Sequence, residues 1–412
     1  MEMDINGGLP LFARVPPMMS LKQLIRTVLP PMHSKACALR KRNRLGLSLL
    51  VAAVSAGCAS HAGSGDSDSN TLHERLQGLA TRYGVCDVAA AVVRDRKVQS
   101  VEVAQGCASQ SPLTPDSVFE AASLSKPVFA YAVLQLVREG RMDLDAPVVT
   151  YLPEGYQHRF QPYRRDSQTD RVSDQRLQAV TVRMALNHTS GLPNWSNGPL
   201  EFDFTPGDKW QYSGEGYVLL QRAVEAVTHQ DLDEFMARRV FEPLGMTHSA
   251  YTLKPQLQEH AVPPKTGDGT PLKLRSLHVP VSAFSLYTTA QDYAVFLATL
   301  LKDERSVTQT VASPVPVDPR LNLSWGLGWG VEREGGDLSI WQWGNNPGYR
   351  AFAMASTRTG DGFVMFTNSD GGLAMAEPLS KVILGGEHTV FRFRLIRGGL
   401  AGFLCETIGL CF

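Results

Sequence analysis

The chain has no surplus of either charge: among 412 residues, 40 Lys and Arg balance 40 Asp and Glu. Outside the N-terminus it has no long basic run, so neither nucleic acid nor an anionic surface is the expected partner. It lacks the short patterns that hold metals and phosphates: there is no HExxH, no paired CxxC and no Gly-rich phosphate loop. No metal or cofactor is expected, and no fixed-period repeat is present. Charged residues are sparse at 19%, hydrophobic residues make up 43%, and the length allows a large core.

Cysteines are few, six in all. Two fall in an N-terminal stretch that reads as an export signal. "LRKRNR" (39–44) is a basic n-region, and "LGLSLLVAAVSA" (45–56) is an apolar h-region too short to span a bilayer as a mature helix. "AGC" then ends at Cys58, which resembles a lipoprotein lipobox with Ser55 where leucine is usual. Cys58 is thus the candidate lipidation site, and ordinary cleavage nearby, for instance after Ala62, is the equal alternative. Either reading predicts export to the periplasm, with membrane contact only through a lipid anchor. Residues 1–58 are read as extension and signal, and the Gly/Ser/Asp-rich 59–71 as a flexible tether. Cys86 and Cys107 flank an apolar strand, a charged turn and a second strand. In an oxidising compartment they are placed to form a cross-strand disulfide at the open end of that hairpin, and two buried free thiols are the alternative, which export disfavours. Cys405 and Cys411 belong to an apolar C-terminal tail, 397–412, to which no role is assigned.

A short helix is expected over 72–83, then the 86–107 hairpin, then a helix from about Ser123 that stops at Gly140. From about 140 to 300 the pattern is mainly helix and loop. "LDEFMARRVFEPLGM" (232–246) and "TAQDYAVFLATLLK" (289–302) are amphipathic, and Thr289 and Asp292 have capping-box spacing. From about 323 strands return with turns at "REGG", "NNPG" and "TGDG", and a last helix covers about 373–383. The fold class is therefore α/β of the α+β type. An antiparallel sheet built from both termini is flanked by helices and carries an inserted, mainly helical region. The cleft between sheet and insertion is the default site.

Three elements carry candidate chemistry. In "SLSK", Pro127 is tolerated only in a first helical turn, which puts Ser123 at the helix start with Lys126 on the same face. Ser123 becomes a nucleophile if a base takes its proton, and a buried, neutral Lys126 is such a base. The plainer alternative is a capping serine and a solvated lysine. In "YSG", Tyr212 precedes an amphipathic helix, where a neighbouring lysine cation would favour its phenolate as a general base. The alternative is a packed aromatic. In "SIWQWGNNPGYRAF" (339–352), strand alternation puts Ile340, Gln342 and Gly344 on one face and Trp341 and Trp343 on the other. Gly344 permits close approach of a ligand or another backbone, and the plainer alternative is a core strand with two packing tryptophans.

In order, these elements resemble the three motifs of the penicillin-binding protein and serine β-lactamase superfamily, closest to its class C β-lactamase-like branch. "SLSK" resembles SxxK, "YSG" resembles Tyr-x-Asn, and "QWG" resembles Lys/His-x-Gly. Flanking phrases match as well, among them "LNHTSGLP", "TPGDKWQYSGEGYVLL", "FEPLGMTHSAY" and "WGLGWG", and the likeness covers about 72–385 of a domain read as 72–396. The resemblance implies a β-lactamase/transpeptidase-like fold. It makes Ser123 the acylated nucleophile, with Lys126 and Tyr212 sharing acid–base duty. The backbone N–H groups of Ser123 and Asn345 would form the oxyanion hole. Gln342, Trp343, Gly344 and Gly214 would meet the substrate, and His188 would be structural.

Two departures stand beside the matches. Gly214 occupies the usual Asn position and Gln342 the usual Lys or His position. A neutral amide loses the charge-assisted part of a bond to a substrate carboxylate, and Arg350 is the candidate replacement cation. Both losses fall on substrate recognition, so the expectation is a serine hydrolase acting on an ester or amide of a small molecule or peptide, with weak β-lactamase activity at best. β-Lactamase and D-Ala-D-Ala carboxypeptidase are alternatives within enzymes. A non-catalytic binder of cell-wall fragments is the alternative outside them.

Overall fold

The structure is a computed structural model that describes residues 65–107 and 112–397. Cys37, Cys58, the export segment and the 398–412 part of the tail, with Cys405 and Cys411, lie outside the described residues. Its first element, helix α1 (Gly65–Tyr83), starts earlier than the expected helix and takes in part of the stretch read as a tether. Leu76 and Ala80 on α1 are fully buried. Once that packing nucleates the helix, each further residue adds a hydrogen bond without a new nucleation cost.

The hairpin follows as β1 (Asp87–Arg94) and β2 (Lys97–Gln105), closed at its open end by a Cys86–Cys107 disulfide. Six later strands complete one antiparallel sheet: β3 (Val315–Asp318), β4 (Leu323–Trp325), β5 (Gly330–Glu334), β6 (Asp337–Asn346), β7 (Tyr349–Ser356) and β8 (Gly362–Thr367). Their order is β2-β1-β8-β7-β6-β5-β4-β3, so the first and last strands of the fold meet as β1 and β8 in mid-sheet. Edge strand β3 contains Pro316, and a proline that cannot donate to a ladder is confined to such an edge. The "LSWGLGWGVE" run, expected as one strand, is two, with the 326–329 turn between β4 and β5.

The sheet alternates as its sequence demands. Ala89, Ala91, Ile340, Ala351, Ala353 and Val364 face one apolar cluster, while Val88, Trp341, Trp343, Phe352 and Met365 face the other. The first cluster includes helices α2 (Ser125–Arg138), α3 (Glu215–Thr228) and α4 (Ala290–Lys302). The second includes α1 and α5 (Ala376–Ile383). Small alanines on the first face leave room for helices to lie close against the sheet. The expected 232–246 helix is present but broken, with an Ala237–Phe241 stretch of π-helix between short α turns. At α4 the Thr289 hydroxyl accepts from Asp292 N–H (3.0 Å), whereas the Asp292 carboxylate turns away to His248 N–H and the Ser249 hydroxyl. Only half of the capping box forms.

Candidate active site

Ser123 sits in a 3₁₀ turn, Ala122–Leu124, directly before α2. Neither the turn nor the helix is capped by a side chain, so Ser123 is not a helix cap. The second serine of "SLSK" does the structural work: Ser125 Oγ donates to Ala122 O (2.5 Å) and accepts from Leu286 N–H (3.0 Å). Tyr251 and Tyr293 hydroxyls donate to the carbonyls of Ser125 (2.7 Å) and Leu124 (3.1 Å). This bracing holds Ala122 at φ +49°, a left-handed conformation that costs a non-glycine residue about 1–2 kcal/mol. The residue beside the candidate nucleophile is thus held in a strained backbone by its surroundings.

β6 lies against this turn. A Cβ on Gly344 would fall 2.6 Å from Ala121 O and 3.1 Å from Ala122 Cβ, so only glycine lets strand and turn approach this closely. One residue on, Asn345 shares a cavity with Ser123.

Lys126 is 1% exposed, and its Nζ donates to Ala283 O (2.8 Å) and lies 3.3 Å from Ser123 Oγ. Burial lowers its pKa from 10.5 to about 7, because removing water penalises the ammonium. Its Nζ also lies 4.7 Å from the centre of the Tyr212 ring. Tyr212 behaves opposite to the expectation that its phenolate would be favoured. Burial pushes its pKa well up, against smaller opposing effects of hydrogen bonds from Ser123 and Gln342. The lysine is therefore the group that gives up its proton near neutrality, and the tyrosine stays protonated. His188 is fully buried, driven strongly neutral by that burial, and accepts from Ser213 N–H (3.1 Å). It packs 4.3 Å from the Tyr212 ring and orients it.

Four of the five expected substrate contacts are elsewhere. Gln342 is fully buried and does not line the cavity; its Nε2 donates to Ser123 O (3.2 Å) and to the Tyr212 hydroxyl (3.3 Å). It braces the two candidate catalytic residues instead of reading substrate. Arg350 is paired with Asp370 (2.9 Å) and donates to Asn346 O and Tyr349 O, away from the cavity. Gly344 also lies off the cavity, behind the serine turn, and Gly214 is covered by the Asn194–Trp195 backbone and ring. Trp343 does line it, with its ring 4.9 Å from that of Tyr212.

The cavity has a volume of about 830 Å³. Among the described residues its cations are Lys209, Arg275 and Arg394, and no Asp or Glu lines it. Arg275 pairs with the buried Glu120. Aromatic rings cover much of the rest, including Tyr163, Trp195 and Phe284, none of which the sequence singled out. The only signal for Trp195 was an apolar ring in the turn-rich "LPNWSNGP", two residues past the recognised phrase.

The model of the Beta-lactamase family matches residues 72–385. The chain is similar to Esterase EstB of Burkholderia gladioli, 31% identical over 43% of this chain and 50% of that protein. It is also similar to Penicillin-binding protein 4* of Bacillus subtilis, 32% identical over 34% of this chain and 31% of that one. It thus spans half or less of the length of these curated relatives. Among solved structures, D-alanine carboxypeptidase AmpC from Burkholderia cenocepacia superposes with a TM-score of 0.65 at 19% identity. That match covers 78% of this chain and 99% of the other, and at that identity it speaks for the fold alone.

Proposed function

The chain belongs to the Beta-lactamase family, and from that premise we propose that it is a serine hydrolase acting on ester or amide carbonyls through an acyl-enzyme. The observation that carries this is the buried Lys126, 3.3 Å from Ser123 Oγ and lowered to about 7. In its neutral form the Nζ lone pair takes the Ser123 proton as Oγ bonds to the carbonyl carbon. The carbonyl oxygen, now negative, lies toward the backbone N–H groups of Ser123 and Asn345; one such donor contributes roughly 3–4 kcal/mol to lowering the barrier. The protonated Tyr212 hands a proton to the leaving oxygen or nitrogen and recovers one from Lys126 as the carbon–leaving-group bond breaks. A solvent water then attacks the acyl ester, Lys126 again takes its proton, and Ser123 leaves with that proton as the acid is released.

Esters and unstrained amides are the proposed targets rather than β-lactams, because Gln342 is engaged with Ser123 and Tyr212 and Gly214 offers no amide. Export to the periplasm is part of the reading. It rests on the basic-then-apolar segment at 39–56 and on the Cys86–Cys107 bond, which persists in oxidising compartments. The test is turnover of an activated acyl ester such as p-nitrophenyl acetate. Native protein is expected to turn it over, and Ser123→Ala to lose at least a thousandfold in kcat/KM; undiminished activity in that variant contradicts the mechanism.

A further inference from the structure

Among the described residues three large hydrophobic side chains are exposed, and two of them, Trp195 (40%) and Tyr163 (41%), face the cavity that holds Ser123. Both pack edge-on against one ring, Phe284, with centroids 5.4 Å and 6.1 Å away. Phe284 follows Ala283, whose carbonyl holds Lys126. The three rings therefore form one wall beginning one residue from the candidate base.

That wall is built, not incidental. The turn bearing Trp195 is pinned on both sides. Gly214 N–H donates to Asn194 O and Oδ1 (3.1 Å each), and Ser196 N–H donates to Glu215 Oε1 (3.0 Å). Ser196 Oγ holds the carbonyls of Gly198 and Pro199 (3.1 Å each). Tyr163 rides on the segment between two short strands, Gln157–Arg159 and Thr169–Arg171, whose buried His158 sits between Asp170 (3.0 Å) and the same Glu215 (3.4 Å). Position 214 completes the arrangement: a Cβ there would fall 2.7 Å from the Trp195 ring. The missing side chain at Gly214 is what lets the indole reach this place.

We propose that Trp195, Tyr163 and Phe284 form a subsite for a flat apolar group, an aryl ring, carried next to the reactive carbonyl of the substrate. This deepens the serine hydrolase reading and rests on it. The space that a polar side chain at 214 would fill is occupied by an aromatic face, so the site rewards removal of apolar surface from water in place of a hydrogen bond. Because the loop is fixed before substrate arrives, little ordering cost accompanies binding.

The experiment compares kcat/KM for two pairs of esters: methyl phenylacetate against methyl acetate, and benzyl acetate against methyl acetate. It uses the native chain, Trp195→Ala and Trp195→Phe, each also labelled with a fluorophosphonate. The native chain is expected to favour the aromatic member of at least one pair. In Trp195→Ala that preference should fall by about tenfold or more, the scale on which hydrophobic pockets discriminate, and Trp195→Phe should retain most of it. Both ratios unchanged in a Trp195→Ala protein that still labels at Ser123 overturns the subsite alone. A native chain that does not label overturns the hydrolase reading, and the subsite with it.

Discussion

Burial of one amine sets the chemistry at the scale of the residue. Lys126 is brought from its ordinary pKa of 10.5 down to about 7, and the cause is loss of water rather than a neighbouring charge. The lowered value has a direct consequence for rate: a lysine acting as the proposed base works only when deprotonated, so kcat/KM for an ester should rise with pH through about 7 and level off above it. A profile flat from well below to well above that midpoint would show that Lys126 is not the base. The same shift acts on stability with a definite sign. Between about 7 and 10.5 the unfolded chain holds a proton that the folded chain has released, so this residue makes stability rise with pH across that window. Gln342 shows how far one residue's role can be read in advance. Its face on the strand followed from alternation, yet whether its amide met substrate or protein depended on a carbonyl 219 residues away.

Contact between elements sets the geometry. The serine turn and β6 touch through Gly344, and the space left there is less than a methyl group. Gly344→Ala should therefore cost about 1–3 kcal/mol, the usual range for overpacking a close contact, and should lower turnover more than the stability loss alone explains, because the turn carrying Ser123 must give way. Urea unfolding together with ester turnover checks this; an alanine variant of native stability and activity would mean that strand and turn are not in this contact. The elements themselves were largely legible. The hairpin, the 125–138 helix, the capped start of α4 and the meander all carry local signals of period, cap or turn. β3, a four-residue edge strand containing proline, carries no such signal, and the 232–246 sequence reads as one continuous helix because its apolar spacing survives a π-bulge.

The whole molecule brings together what no segment holds. Ser123, Tyr212 and Asn345 come from three distant parts of the chain and meet because β1 and β8 close one sheet from both termini, with the helical region laid against it. Motif order in the sequence was enough to name these residues. The aromatic wall was not visible, because Tyr163, Trp195 and Phe284 lie in loops of the inserted region and share no spacing; only folding makes them neighbours. Lys209 and Arg275 on the cavity lining are invisible for the same reason, Arg394 reaches the lining from the C-terminal end of the domain, and the cation expected there, Arg350, is held by Asp370 instead. The central claim is a covalent bond at Ser123. The most direct measurement is the intact mass of the protein after exposure to a fluorophosphonate, for the native chain and Ser123→Ala. The account predicts one adduct per native chain, mapping to the peptide containing Ser123, and none on the variant. No adduct on the native chain, or equal labelling of both, would contradict it.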